Sequence, residues 1–197
     1  EEIYVAQLVC DRGFVAFKLC PQGSNLFSDV GIGRISGVFS GGAAFVNATF
    51  DSGIVQQDGT TPCVNGTIKS IKIGALENRQ LSSKPQVIVG CTVSTLQLNN
   101  VTVNTGSTSG SSTVVTVGAT GVLTNLQGNN WDVSGATTAA IAVLVVGSGS
   151  LGSVNISNAN FSTLNAVVQL NSTSLSNGTL TFTNVWANAM STFINTA

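Results

Sequence analysis

Apolar and polar positions alternate in four stretches of this 197-residue chain, and each alternation breaks at the same place. The stretches are Leu96–Val103, Leu126–Val133, Val154–Phe161 and Leu180–Ala187, and their starts recur at a nearly constant interval. Successive side chains of a β-strand point to opposite faces, so the first and third positions of each stretch share a face. The sixth and eighth share it too, because the polar pair between them shifts the phase. Of these 16 positions 15 are apolar, Gly128 being the exception. The second member of the polar pair is Asn every time: Asn100, Asn130, Asn158 and Asn184. Asn enters the left-handed backbone conformation more readily than most side chains, and its amide bonds to nearby backbone. A fixed period with strand content is the signature of a solenoid. The pattern predicts stacked coils that turn a corner at each Asn, with the four amides forming a buried ladder up the stack.

A second strand column follows each stretch: Val115–Gly118, Leu144–Gly147, Val168–Asn171 and Thr192–Asn195. Each ends in Gly or Asn, which again suits a corner. The chain between ladder Asn and second corner varies in length, so one side of the coil is expected to carry loops such as Thr105–Gly110 and Ser134–Thr138. The cysteines extend the period downwards. Cys63 precedes Cys91 by one such period, and Ile68 precedes Leu96 by the same interval. Equivalent positions in adjacent coils lie about 4.8 Å apart, within the roughly 4.4–6.8 Å between Cα atoms that a disulfide accepts. A Cys63–Cys91 staple between rungs is therefore expected. Cys10 and Cys20 flank the turn signal Asp11-Arg12-Gly13, between the apolar runs Ile3–Val9 and Phe14–Leu19, and would close an N-terminal hairpin. The alternative is four free thiols.

Coil length, inward apolar columns and the Asn ladder together resemble the right-handed parallel β-helix superfamily, the fold of pectate lyases, phage tailspikes and many surface adhesins. The resemblance covers roughly residues 60–197 and names no particular member. It implies an all-β chain with coils of about 28 residues. The rival architecture is a β-sandwich of evenly spaced strands. The expected organisation is an apolar strand or hairpin over residues 1–20, able to pair with another molecule, and a β-helix over 21–197 whose coils become regular from about residue 60.

Composition narrows the function. Charged residues make up 8% of the chain, against about 25% in ordinary soluble domains. Beyond Lys84 the only one is Asp132. Net charge is −1 with no basic run, which speaks against nucleic acid as a partner. The longest apolar run, Ala139–Val146, is far short of the roughly 20 residues of a membrane span. Glu1 reads as the start of a mature product, and paired cysteines with few lysines point outside the cytoplasm. Glycosylation sequons stand at Asn47, Asn65, Asn155, Asn160, Asn171 and Asn177, and a seventh coincides with the ladder at Asn100.

The chain has no His, and its acids are scattered. Asp51 and Asp58 read as solvated loop carboxylates, and the Gly-rich stretches lack the Lys of a phosphate loop. No catalytic, metal-ligating or cofactor-binding residue is assigned, and no enzyme activity is expected. Trp131 falls on an inward column, and Trp186 on an outward one where it would stack on a sugar or a neighbouring subunit. The segment Thr192–Ala197 reads as an uncapped strand column. A solenoid must hide such an edge, and the apolar run Ile3, Tyr4, Val5, Leu8 and Val9 is suited to cover it in a neighbouring molecule, against Phe193 and Ile194. The expected function is a non-enzymatic extracellular subunit that polymerises with copies of itself into a filament, surface fibre or virion appendage. The alternative is an adhesin that binds a glycan or receptor, closed as a trimer.

Overall fold

The computed structural model describes residues 2–10, 17–18, 26–37, 50–51, 66–82, 85–105, 113–135, 140–170 and 178–196. They form the strands β1 (Glu2–Cys10), β2 (Phe17–Lys18), β3 (Leu26–Gly37), β4 (Phe50–Asp51) and β5 (Thr67–Ile73). There follow β6 (Leu76–Ser82), β7 (Val87–Val89), β8 (Thr92–Thr105), β9 (Val115–Val117) and β10 (Val122–Gly135). The last are β11 (Ile141–Val145), β12 (Ser150–Ser162), β13 (Ala166–Leu170), β14 (Leu180–Asn188) and β15 (Ile194–Thr196). Every pairing is parallel, which excludes the β-sandwich.

The strands stack into two sheets. The first runs β1-β3-β5-β8-β10-β12-β14, with β6 continuing the β5 rung between β3 and β8. The second runs β15-β13-β11-β9-β7-β4-β2. The protein is a parallel β-solenoid, its chain passing from one sheet to the other in each coil. In the first sheet Leu126 faces Leu96 and Val154, and Val154 faces Leu180, so the four stretches stack start upon start.

The core lies between the sheets. Leu96, Leu98, Val101 and Val103, then Leu126, Gly128, Trp131 and Val133, then Val154, Ile156, Ala159 and Phe161 are all buried, as the alternation requires. In β14 the same column opens: Leu180, Phe182 and Val185 are half-buried and Ala187 is exposed, because no described coil lies over them. Gly128 has a steric reason. The Trp131 indole lies 1% exposed beneath it, donates from Nε1 to the Leu98 carbonyl at 2.9 Å, and meets the Phe161 ring edge-on at 6.4 Å. A Cβ on Gly128 would sit 2.8–2.9 Å from that indole. One oversized side chain is thus accommodated by the smallest residue in the neighbouring column.

Three sequence expectations need correction. The N-terminal hairpin is absent: β1 pairs in parallel with β3, whereas β2 belongs to the second sheet and pairs with β4. Asp11-Arg12-Gly13, where the turn was expected, lies outside the described residues. The step expected below Leu96 is also wrong. Leu96 faces Ile71 rather than Ile68, and Ile68 faces Val93, so this coil is shorter than the cysteine spacing implies. The position beside Cys91 is therefore Gly66, whose carbonyl accepts from the Thr92 amide. Cys63 and Cys20 lie outside the described residues. The second-sheet column slips as well. Val115 faces Val143 rather than Leu144, and Val168 faces Ile194 rather than Thr192. Residues Ile141–Val145 are buried on both faces, and a continuous apolar run carries no alternation by which to fix register.

Gly128→Ala is expected to lower stability by about 1–3 kcal/mol through overpacking, read from denaturant unfolding. In a Trp131→Val background, where the indole is gone, the same Gly128→Ala change should cost much less, the two sites being coupled through that contact.

Candidate functional site

The four predicted corner residues all adopt the left-handed conformation, with φ of 47° at Asn100, 59° at Asn130, 53° at Asn158 and 54° at Asn184. Their amides link the coils. Asn130 Nδ2 donates to Asn100 Oδ1 at 2.9 Å, and Asn184 Nδ2 to Asn158 Oδ1 at 2.7 Å. Between these links the ladder shifts by one residue, Asn158 Nδ2 donating to Asn129 Oδ1 at 2.9 Å. At the lower end Asn100 Nδ2 donates to the Gly74 carbonyl at 2.9 Å. All four Asn are exposed, contrary to the buried ladder expected from sequence. A corner that reverses the alternation without filling the core must point its side chain out. The equivalent places in earlier rungs hold Ala75, Arg34 and Gln7, by the registers Ile73↔Leu98, Ile35↔Leu76 and Gln7↔Arg34.

Sequence reasoning missed a second left-handed corner at Thr163 (φ 55°) and Ala189 (φ 52°). Neither residue type signals positive φ, so composition could not have found it. Of the second corners foreseen, Gly147 is left-handed at φ 57°, Gly118 turns without positive φ, Asn195 lies within β15, and Asn171 is outside the described residues.

The outer face of the first sheet is a set of straight polar columns. One contains Glu77, Thr102, Asp132, Asn160 and Trp186. Asn160 Nδ2 donates to Asp132 Oδ1 at 3.0 Å, and Trp186 stands 72% exposed beside them. Lower down, Arg34 pairs with Glu77 at 2.7 Å. Of the sequon residues, Asn100, Asn155 and Asn160 are exposed on this face. Asn47, Asn65, Asn171 and Asn177 lie outside the described residues. Tyr4, expected at an assembly contact, instead points outward and is 80% exposed, its ring over Gly31. It borders a shallow groove of about 380 Å³ with Glu2, Asp29 and Lys72.

The two ends of the stack differ from this face. In β1, Ile3, Val5 and Leu8 pack on the core yet remain half-buried. At the other end Leu180, Phe182, Val185, Met190 and Phe193 are in the same condition, with Phe182 and Phe193 edge-to-face at 4.7 Å. Ile194 shares the inward column of Val168 and is 39% exposed. Of the predicted assembly residues, the fold therefore gathers Ile3, Val5 and Leu8 at one end and Phe193 and Ile194 at the other. Among the described residues, no three His, Cys, Asp or Glu side chains gather into a group that would hold a metal, and no helix is long and apolar enough to cross a membrane.

The ladder's exposure and its φ set separable costs. Asn130→Ala should lose about 1–2 kcal/mol of stability, chiefly because Ala resists the left-handed corner. Asn130→Gly, free of that strain, should lose about 1 kcal/mol or less, the net worth of one amide bond. Equal losses in thermal unfolding would mean the backbone conformation is not what Asn supplies.

Compared with protein-family models, with curated proteins and with solved structures, the chain matches none, and its function has to be argued from the solenoid itself.

Proposed function

We propose that this protein is a non-enzymatic structural subunit that assembles with copies of itself into an extracellular filament, surface fibre or virion appendage. The finer kinship with right-handed β-helix proteins belongs to the same proposal. One observation carries it: past Lys84 the sequence holds a single charged residue, Asp132, and the outward columns of the first sheet there are otherwise built from neutral side chains, with the exposed indole of Trp186 among them. Soluble surfaces ordinarily carry about a quarter of charged residues, so a face this poor in charge is suited to lie against copies of itself. A heterologous contact propagates into an open polymer when its rotation does not close.

Electron microscopy and sedimentation of the purified chain over a range of concentrations test the reading. Filaments or a concentration-dependent series of oligomers is expected, and it should change little between low and high salt, because a contact between faces this poor in charge leaves little to screen. A monomer at every concentration, or a discrete closed trimer, overturns it.

A glycan-binding role is the second reading, favoured by Trp186. An exposed indole beside a carboxylate and an amide, Asp132 and Asn160, offers a sugar a stacking face and hydrogen-bond partners. Trp131 is buried, so quenching of fluorescence by added oligosaccharides would report on Trp186, and Trp186→Phe should weaken the response. No quenching across a panel of neutral and acidic glycans would remove this role.

A further inference from the structure

Resting on the glycan-binding reading, we infer that the Trp186 face selects a cationic ligand: a glycan whose sugar carries a free amine, stacked on the indole with its ammonium turned towards Asp132.

Asp132 is an anion that the fold leaves without a counter-ion. It stands exposed on the outer face of the first sheet, in the column Thr102, Asp132, Asn160 and Trp186. Its Oδ1 accepts from Asn160 Nδ2 at 3.0 Å, and among the described residues nothing donates to Oδ2. Every Lys and Arg of the sequence lies at or before Lys84, so the strands β8, β10, β12 and β14 carry no cation to answer it. The other carboxylate of the column is treated differently. Glu77, two coils below, is paired with Arg34 at 2.7 Å. One acid of this column is thus neutralised within the fold, and the other is presented to whatever binds there.

The neighbours of Asp132 define the cation that fits. Trp186 lies two coils above it, about 9.6 Å away at twice the strand spacing, and its indole is 72% exposed. The face of an indole takes both an apolar ring face and a cation, and among aromatic side chains it holds cations best. Asn160 stands between the two, its nitrogen turned to Asp132, which leaves its carbonyl oxygen as an acceptor. A bare metal cation would use the carboxylate and not the indole. A neutral sugar would use the indole and not the charge. A sugar with an ammonium group uses all three: the ring on Trp186, a hydroxyl on Asn160, and the ammonium towards Asp132. An acidic sugar is disfavoured, because its carboxylate would face Asp132 with no Lys or Arg from these strands to receive it.

Quenching of Trp186 fluorescence tests the choice with three probes: glucosamine oligomers with free amines, the same oligomers fully N-acetylated, and galacturonate oligomers. Mildly acidic buffer keeps the amines protonated, and acetylation removes their charge. The free-amine oligomers are expected to bind about three- to tenfold more tightly than the acetylated ones, the combined worth of an exposed cation–π contact and an exposed ion pair. Galacturonate should bind most weakly. Added salt should narrow the gap. Asp132→Asn keeps an acceptor for Asn160 and should abolish the preference for free amines while sparing the response to acetylated oligomers. Asp29→Asn removes the same charge from β3 and should leave the preference intact. Acetylated or galacturonate oligomers that bind as tightly as the free amines would overturn the inference and leave the glycan reading standing. So would a preference that survives Asp132→Asn, or one that Asp29→Asn lowers equally, since net charge would then be the cause. No quenching by any of the three would overturn both.

Discussion

Stacking in parallel, with each residue above its counterpart, is the constraint behind the other features of this protein. Every outward position is repeated at about 4.8 Å by the residue in the next coil. A charge there would face a like charge if the column repeated it, and such pairs are destabilising. In the later coils the columns accordingly hold Thr, Asn, Gln and Ser, with charges interrupted by neutral residues, as Thr102 separates Glu77 from Asp132; in the first two coils Glu2 faces Asp29 directly, and Lys72 lines the same groove. The low charge content that set this chain apart at the outset thus has a cause within its own fold, whatever else covers the surface.

The same constraint explains the corners. From Asn100 upwards the coil turns this corner through positive φ, whereas Ala75, Arg34 and Gln7 hold the same place without it; a left-handed residue that also joins coils does more than glycine can. Asn meets both needs at Asn100, Asn130, Asn158 and Asn184. The shift of the ladder from Asn130 to Asn129 shows that the fold keeps coil-to-coil amide bonding rather than one set of atoms. Gly128 and Trp131 are the interior equivalent, exchanging volume between adjacent columns of one coil.

Much of the first sheet could be read from sequence because its strands have one wet face and one dry face, and alternation records which is which. The inward assignments for Leu96–Val103, Leu126–Val133 and Val154–Phe161 follow directly. The second sheet could not be read to the same precision. Its strand Ile141–Val145 is buried throughout, so nothing in the pattern distinguishes Val143 from Leu144. The shorter coil below Leu96 was masked by two cysteines whose spacing happens to equal the period of the later coils. At the candidate site, outward Trp186 was visible in the phase of its strand, whereas Phe193 and Ile194 were legible only as members of the last strand column. The direction of Tyr4 was not, because an apolar run conceals which of its members face the core.

The half-buried last coil implies a gradient of local opening along the stack. In a solenoid each coil is held mainly by its neighbours, so stability is distributed as a chain of interface terms. The middle coils have two such interfaces, and the coils of β1 and β14 have one within the described structure. Backbone amides of β8, β10 and β12 should then exchange with solvent mainly through opening of the whole stack, while those of β14 and β15 exchange through unzipping of a single coil.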